Sequence, residues 1–417
     1  MDNINVVLRV RPILTSEKGS GDFSCVNVSS NGKKIEVKVE PTKYESYKCV
    51  KCFTQNTSPI ELYEECGIIN LLETAMKGSP VCIYAYGESG SGKSTTIYGN
   101  QKGSGANEKA AGLLSRSIKD ILEHLNESDE QYCLKMSCVE IINEEVFDIL
   151  AYSHAQQQIP LDIIQTETGQ YILNSVTKVN CTHYSTALKY IERLANIRYK
   201  QQKSTHRSHF LIELYIEIDT TQQNNMNCTD NNRSNMILLS KISFIDLIES
   251  NYLHNEKTEI HEKTEKHERT DHSLHVLSKV IDGIERINND NTNIYDSILT
   301  KLLSQCIGIK SRNLLVSCIF ESRHHMSETM KTLKFRYSFF YFCGFNVYII
   351  LYTQYYTLYY TVNIALCTML YTLYYTIYYI LHYTNYILHY FTIQLCACSK
   401  TAQIPRPSSK APLRSQT

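Results

Sequence analysis

A glycine-rich stretch between an apolar run and a helix-compatible run constrains this chain more than any other feature. The stretch reads "VCIYAYGESGSGKSTTIYG" (81–99). From Gly87 to Ser94 it has the spacing Gly-x-x-x-x-Gly-Lys-Ser, which is typical of a phosphate-binding loop when a strand precedes it and a helix follows it. Both flanking patterns are present. The stretch therefore predicts an α/β fold that binds a nucleoside triphosphate at the end of a buried strand.

Each position in this loop suits one part of a bound nucleoside triphosphate and its Mg²⁺ ion. Glycines let backbone N–H groups turn toward the phosphates. Lys93 would neutralise the β- and γ-phosphates, and the hydroxyl of Ser94 would ligate Mg²⁺. We therefore expect a nucleoside triphosphate and Mg²⁺ as cofactors. The predicted nucleotide contacts in the loop are Gly87, Glu88, Ser89, Gly90, Ser91, Gly92, Lys93, Ser94 and Thr95.

A second apolar run, "ISFIDL" (242–247), ends with an acid at Asp246. An NTPase of this kind needs an acid at the end of a second buried strand, where it holds the water shell of the metal. Asp246 is therefore the predicted second metal residue, acting on Mg²⁺ through water. A purely structural acid at a strand end is the alternative interpretation.

Residues 1–337 alternate strand-like and helix-like patterns, as an α/β domain does. "INVVLRV" (4–10) predicts a strand. Ser58, Pro59 and Glu61 have the spacing of a capping box with proline at the first helical position, so they predict a helix start. Two polar segments, 220–235 and 254–272, interrupt the pattern and predict surface insertions.

Charge and cysteine content limit the class of protein. Beyond Arg336 there is no Asp or Glu, so the first 336 residues hold 38 basic and 42 acidic side chains. This balance argues against a broadly basic nucleic-acid binder. The N-terminus lacks the pattern of a signal peptide, and the fifteen cysteines have no regular spacing. We expect a cytoplasmic protein with reduced thiols.

The C-terminal part divides into two further zones. Residues 338–399 contain no Asp, Glu or Arg and no Lys, and the stretch from Tyr337 to residue 399 holds 16 of the 31 tyrosines. The length would suffice for a membrane segment, but Tyr, Thr, Asn and His recur too densely for a good span. A low-complexity tail or a spurious translation is the favoured interpretation. Residues 400–417 form a basic, polar tail.

Several stretches, in order, resemble the kinesin motor family over about residues 3–336. They are "VVLRVRP" (6–12), the phosphate loop, "SCVEIINEEVFDIL" (137–150), "STHRSH" (204–209), "FIDLIESN" (244–251), "HSLHVLSKVI" (272–281), "DSILTKLLSQCIG" (296–308) and "ETMKTLKF" (328–335). The resemblance implies a P-loop NTPase of kinesin motor type, with a mostly parallel central sheet and helices on both faces. It also implies microtubules as the partner and the microtubule cytoskeleton as the location.

The resemblance extends the predicted site beyond the loop. Arg9 and Pro12 are implied as contacts to the purine. The first switch would supply Thr205, His206 and Arg207, and the second switch would supply Asp246 and Glu249. Cys49 and Cys52 have the spacing of half a zinc site, but the second half is missing, and the matched segment is a strand that enters the core.

The chain departs from the family pattern in both switches. His206 replaces a serine that is expected to help relay a proton, and it would have to act as a base instead. Glu249 replaces a glycine whose N–H senses the γ-phosphate. A side chain there restricts the backbone, and its carboxylate repels a polyphosphate. Asn251 replaces the glutamate that would pair with Arg207.

The surface that would face the microtubule is altered as well. Ile298 stands in place of a lysine, and Tyr295 stands in place of an arginine. Each lost cation would weaken binding to acidic tubulin by up to about 1 kcal/mol. Lys301 and Lys279 remain. The neck linker and the coiled-coil heptads expected after such a motor are not seen.

Three functions are therefore compatible with the sequence. The first is an ATP-dependent microtubule-binding motor that couples Mg-ATP binding and hydrolysis to movement. The second is a hydrolysis-impaired protein that holds nucleotide and acts as a microtubule-binding scaffold. The third is a degenerate reading frame. The intact phosphate loop favours nucleotide binding in both of the first two functions. These two differ in whether the altered switches still allow hydrolysis.

Overall fold

The computed structural model describes most of the first 336 residues and a short part of the tail. The described residues are 4–19, 21–100, 108–127, 132–151, 159–202, 208–219, 236–248, 272–280, 295–306, 311–336, 368–377, 380–381 and 383–385. The chain forms two compact units, Met1–Val347 and Tyr348–Thr417. The predicted boundary near residue 337 lies outside the described residues, as do nearly all residues of the two polar insertions.

Strands and helices alternate along the first unit. The strands are β1 (Ile4–Arg11), β2 (Val26–Val28), β3 (Lys34–Lys38), β4 (Tyr44–Lys48), β5 (Lys51–Phe53), β6 (Val81–Tyr86), β7 (Tyr132–Ile142), β8 (Glu145–Asp148), β9 (Ile163–Gln165), β10 (Tyr171–Leu173), β11 (Val179–Asn180), β12 (His209–Asp219), β13 (Met236–Asp246) and β14 (Arg312–Phe320). The helices are α1 (Thr15–Gly19), α2 (Pro59–Glu65), α3 (Ile68–Met76), α4 (Lys93–Tyr98), α5 (Leu113–Asn126), α6 (Tyr184–Gln202), α7 (272–280), α8 (Ile298–Leu302) and α9 (326–336).

A nine-stranded mixed sheet forms the centre of the unit. Its strand order is β11-β7-β12-β13-β6-β14-β1-β5, with β8 paired to β7. The strands from β13 to β5 are parallel to one another, whereas β12, β7 and β11 add an antiparallel half. All six residues of β6 are buried. Because β6 has parallel neighbours on both sides, the carboxyl ends of β13, β6 and β14 meet at one edge of the sheet.

Helices cover both faces of this sheet, as the sequence predicts. One face carries α2 to α6, whose apolar residues share a core with Ile83 and Phe244. The other face carries α7, α8 and the end of α9, which pack on Tyr84 and Ile245. Successive residues of a strand point to opposite faces, so β6 and β13 contribute to both cores. A third core joins the small sheet β2-β3-β4 to β1 and α9.

Local sequence explains several element boundaries. At the start of α2, the Ser58 hydroxyl accepts the Glu61 N–H and the Glu61 carboxylate accepts the Ser58 N–H, which confirms the predicted capping box. Asn143 and Glu144 have φ angles of 52° and 62°, which suits the tight hairpin between β7 and β8. The Glu144 carboxylate then accepts the N–H of Ile298 at the start of α8.

The described residues of the second unit are helical. Residues 368–377 form a helix whose Leu and Tyr side chains are exposed. None of the helices within the described residues is long and apolar enough to cross a bilayer.

We predict that the central core, rather than strand propensity, stabilises β13. Phe244 is 0% exposed and Ile237, on the same strand, is 58% exposed. Phe244→Ala should lower the free energy of unfolding by about 3–5 kcal/mol, because it leaves a cavity between the sheet and its helices. Ile237→Ala, the matched control, should change it by no more than about 0.5 kcal/mol. Urea denaturation measures both, and equal losses would contradict this account of the core.

Candidate nucleotide-binding site

The phosphate loop leaves the carboxyl end of β6 through a turn that only glycine fits. Gly87 has a φ of 148°, and a Cβ atom placed on it would lie 2.2 Å from the Cys318 carbonyl oxygen and 2.7 Å from the Ser91 hydroxyl. Gly92 has a φ of 105° and immediately precedes α4. Larger residues would force the loop away from β14, so the glycine spacing read from the sequence has a geometric reason.

Lys93 lies inside the loop. Its side chain is buried, and its ammonium group donates to the carbonyl oxygens of Gly87 at 2.8 Å and Glu88 at 3.0 Å. The positive charge is thus centred within the loop, where the phosphates of a nucleotide would bind. This position matches the role expected for Lys93.

Ser94 and Asp246 come together although 152 residues separate them. The Ser94 hydroxyl donates to Asp246 Oδ2 at 2.7 Å. Asp246 ends β13 and pairs in register with Ala85 near the end of β6, which brings the carboxylate beside the loop. Within the described residues, Asp246 Oδ1 is buried without a hydrogen-bond partner. A hydroxyl and a carboxylate with a spare oxygen fit Mg²⁺ and its water shell.

Arg198 completes this arrangement, and the sequence interpretation missed it. From α6, its Nε donates to Asp246 Oδ2 at 3.0 Å, and its Nη1 donates to the hydroxyl and the carbonyl of Ser208, both at 3.0 Å. Burial opposes the charge on Arg198, but the Asp246 carboxylate, together with Tyr98 and Glu140, outweighs burial and raises the pKa of the guanidinium. The signal was available, because Arg198 falls at helical spacing after buried Ile191 and Leu194.

His209 connects the same edge of the sheet to α7. Its Nδ1 accepts the N–H of Ile248 at 3.1 Å, and its Nε2 lies 2.9 Å from the Ser273 hydroxyl. Since Nδ1 accepts a hydrogen bond, the neutral ring carries its proton on Nε2 and donates to Ser273. Burial, together with the nearby Arg198 charge, lowers the pKa of His209 to about 3. The sequence stretch "STHRSH" contained this histidine, but its role required the fold.

The residues implied for the purine lie at the end of β1. Arg9 donates from Nη1 to the Thr96 hydroxyl on α4, and burial lowers the pKa of its guanidinium. Pro12 is exposed just beyond β1. Arg11, between them, pairs with Glu17 and lies over the Phe320 ring, with its Cζ atom 4.8 Å from the centroid. Arg9 therefore contacts α4, while Arg11 contacts Glu17 on α1 and Phe320 at the end of β14.

The remaining predicted site residues fall into two groups. Ser89, Gly90 and Thr95 are exposed, whereas Glu88 and Ser91 are buried. The predicted switch residues Thr205, His206, Arg207 and Glu249 lie outside the described residues, and so does Asn251. The described residues that adjoin them, Ser208 and Ile248, are held by Arg198 and His209.

We predict that Arg198 and Asp246 form a buried ion pair that stabilises the site. Arg198→Met should lower the free energy of unfolding by about 3–5 kcal/mol, because it leaves the Asp246 carboxylate buried without its counter-charge. Lys200→Met, an exposed cation on the same helix, is the control and should change it by no more than about 0.5 kcal/mol. Combining Arg198→Met with Asp246→Asn should recover part of the loss. Strict additivity in this double-mutant cycle would contradict the pairing.

We also predict a pH dependence that originates at His209. Its folded pKa, about 3, lies below the unfolded value near 6.5, so the unfolded chain takes up a proton that the folded chain excludes. Stability contributed by neutral His209 is therefore lost as the pH falls below 6.5. Between pH 6.5 and 5, the wild type should lose about 2 kcal/mol more than His209→Gln, by denaturant titration at each pH. An equal loss in both proteins would show that His209 is not the origin.

Comparisons with known proteins agree on one family. Residues 9–339 match the family model described as the kinesin motor domain. The kinesin-like protein cut7 of Schizosaccharomyces pombe is 24% identical over 347 residues, which cover 80% of this chain and 32% of that protein. The kinesin-like protein KIF12 of Mus musculus is 25% identical over 347 residues, which cover 80% of this chain and 51% of KIF12. The chain thus spans about a third to a half of these relatives.

A solved structure has the same fold. It is reported as "Structure of a fast kinesin: Implications for ATPase mechanism and interactions with microtubules". It aligns with a TM-score of 0.67 at 20% identity and covers 81% of this chain and 90% of that one. The fold class predicted from the sequence is therefore confirmed, and the family model covers well over half of the residues. The chain belongs to the kinesin motor domain family.

Proposed function

We propose that the first unit binds Mg-ATP at Gly87–Thr95, hydrolyses it, and couples hydrolysis to movement along microtubules. The observation that carries this proposal is the contact of Ser94 and Arg198 with the same oxygen of Asp246. It joins the phosphate loop, the end of β13 and the last turn of α6 at one carboxylate. A nucleotide that changes the position of Asp246 would therefore act on all three elements.

The described residues divide the chemistry among them. Lys93 would neutralise the phosphate oxygens, because its buried ammonium group already lies within the loop. The Ser94 hydroxyl would hold Mg²⁺ directly, and Asp246 Oδ1 would hold its water shell. Mg²⁺, when bound, neutralises charge on the transferred phosphoryl group. Arg9 and Pro12 would contact the base from the end of β1.

A path from this site to the other face of the sheet supports the coupling. Arg198 holds Ser208, which lies in the predicted first-switch stretch 204–209. His209, the next residue, holds Ile248 in the predicted second-switch stretch 244–251 and lies against Ser273 on α7. These hydrogen bonds, between 2.9 and 3.1 Å long, join buried groups in one contiguous network, which is the route that we propose for the coupling. We propose that α7 and α8 carry this shift to the microtubule.

Within the described residues, the proposed microtubule-facing side retains few cations. Lys279 on α7 is exposed, and Lys301 on α8 is half-buried near the ring of Tyr171. Ile298 packs against the core on this face, and the ring of Tyr295 lies 5.0 Å from that of Tyr171. These apolar contacts stabilise the face but contribute no charge toward acidic tubulin. We therefore propose weak, salt-sensitive microtubule binding.

A second candidate function is a microtubule-binding scaffold that holds nucleotide without turning it over. Glu249 and Asn251 favour this alternative, since each replaces a residue that the family uses to sense or close around the γ-phosphate. The phosphate loop would still bind Mg-ATP in such a protein. The two candidates therefore differ in turnover and not in binding.

Phosphate release by the full chain, with and without microtubules, separates the two candidates. The motor proposal predicts turnover that microtubules raise to about 1 s⁻¹ or more, which is ordinary for an enzyme. Glu249→Gly with Asn251→Glu should increase it further if the switches limit the rate. Lys93→Ala, which removes the ammonium group from the loop, is the control and should release no phosphate. A wild type no faster than Lys93→Ala would overturn the motor and favour the scaffold.

A further inference from the structure

Cys49 and Cys52 form a pair of buried thiols beside a buried guanidinium. We propose that a peroxide oxidises this pair to a disulfide, and that the disulfide releases Arg336 at the end of α9 from its contact with Cys49. The inference concerns a part of the unit away from the phosphate loop, and it holds whether or not the chain hydrolyses ATP.

The backbone presents both thiols to the same small core. Cys49 follows β4 and Cys52 lies in β5, with only Val50 and Lys51 between them. The Cys49 N–H donates to the Lys33 carbonyl at 2.9 Å, and the Cys52 N–H donates to the Gly32 carbonyl at 2.7 Å. One turn of the chain thus holds both ends of the Cys-x-x-Cys segment. The side chains are 7% and 4% exposed, and both pack in the core that β2, β3 and α9 share.

Arg336 distinguishes this pair from an ordinary pair of core cysteines. Its side chain is 0% exposed. Its Nη1 donates to Cys49 Sγ at 3.0 Å, and its Nη2 donates to the carbonyl of Lys48. The Cys52 thiol, followed by the Arg336 charge, lowers the pKa of Cys49. The interaction of Cys52 with Cys49, together with burial, raises the pKa of Cys52. Cys49 is therefore the nucleophile and Cys52 the resolving thiol.

The oxidation proceeds in two balanced steps. The Cys49 thiolate attacks one oxygen of hydrogen peroxide, which breaks the O–O bond, forms a sulfenic acid and releases hydroxide. The sulfur of Cys52 then attacks Cys49 Sγ, forms the S–S bond and displaces the hydroxyl group, which leaves as water once it takes up a proton. In sum, two thiols and one peroxide give one disulfide and two waters. Cys-x-x-Cys spacing is compatible with such a bond, as thiol–disulfide oxidoreductases illustrate.

The disulfide changes what Arg336 can bind. A thiolate accepts a charge-assisted hydrogen bond, but a disulfide sulfur is uncharged and a weak acceptor. The buried guanidinium then faces only a weak, uncharged acceptor at Cys49, which is unfavourable for a charge buried among apolar groups. Arg336 lies in the last described turn of α9, so this turn should open more often in the oxidised protein. Peroxide would thus react at β4–β5, and the structural effect would occur in the last described turn of α9.

Titration of the full chain with hydrogen peroxide, followed by alkylation and peptide mass spectrometry, tests the pairing. Cys133 is the matched control, because it is the most exposed of the cysteines in the described residues. We expect the Cys49–Cys52 disulfide at peroxide doses that leave Cys133 reduced. Oxidation of Cys133 first, with Cys49 and Cys52 recovered as free thiols, would overturn the proposal, since reactivity would then follow exposure alone.

Two variants test the roles within the pair. Cys52→Ser should stop the reaction at a Cys49 sulfenic acid, which dimedone labels, whereas Cys49→Ser should give no label at Cys52. Arg336→Met should slow disulfide formation about tenfold, because it removes the charge that stabilises the thiolate. Label at Cys52 rather than Cys49 would overturn the assignment of the nucleophile.

Hydrogen exchange tests the consequence for α9. In the oxidised wild type, backbone amides at the end of 326–336 should exchange at least threefold faster than in the reduced protein, while those of β6 should be unchanged. Identical exchange in the two forms would overturn the release of Arg336, even if the disulfide forms.

Discussion

The buried carboxylate of Asp246 is the group on which the rest of the site depends. Its Oδ2 accepts from Ser94 and from Arg198, so one oxygen joins the phosphate loop to α6. A charge buried at the end of a strand is stable only with such partners. The parallel pairing of β13 with β6 provides them, because it places Asp246 beside the point where Gly87 turns the chain. The sheet thus places Asp246 beside the phosphate loop, and the ion pair between Arg198 and Asp246 stabilises this edge of the sheet.

A second set of buried contacts connects this edge to the opposite face. His209 is neutral, and its two ring nitrogens have opposite roles: Nδ1 accepts a hydrogen bond from Ile248 and Nε2 donates one to Ser273. Arg198 is hydrogen-bonded to Ser208 in the predicted first-switch stretch, and His209 to Ile248 in the predicted second-switch stretch. The altered residues Glu249 and Asn251 follow Ile248 in the sequence and lie outside the described residues. We propose that their substitution affects the closing of the site around a γ-phosphate more than the stability of the unit.

Much of the fold followed from local sequence patterns, because burial of a strand or helix face imposes a period on the residues. The strand at 4–10, the capping box at Ser58 and the buried strand before Gly87 are all confirmed. The same reasoning predicted an acid at the end of a second buried strand, and Asp246 ends β13. Arg198 was missed, because α6 carries several cations, and helical spacing after Ile191 and Leu194 marks an inward-facing residue without showing that Asp246 is its partner. Arg336, which contacts Cys49, is 287 residues away in the sequence, so local patterns could not predict this contact.

Titration calorimetry of the full chain with ATP, in the presence and absence of Mg²⁺, tests the central claim most directly. The geometry of Lys93, Ser94 and Asp246 predicts one nucleotide per chain, with binding that weakens at least about tenfold when Mg²⁺ is omitted or when Lys93 is changed to alanine. The absence of saturable binding, or an affinity that neither change alters, would contradict the assignment of this loop and carboxylate as a nucleotide site.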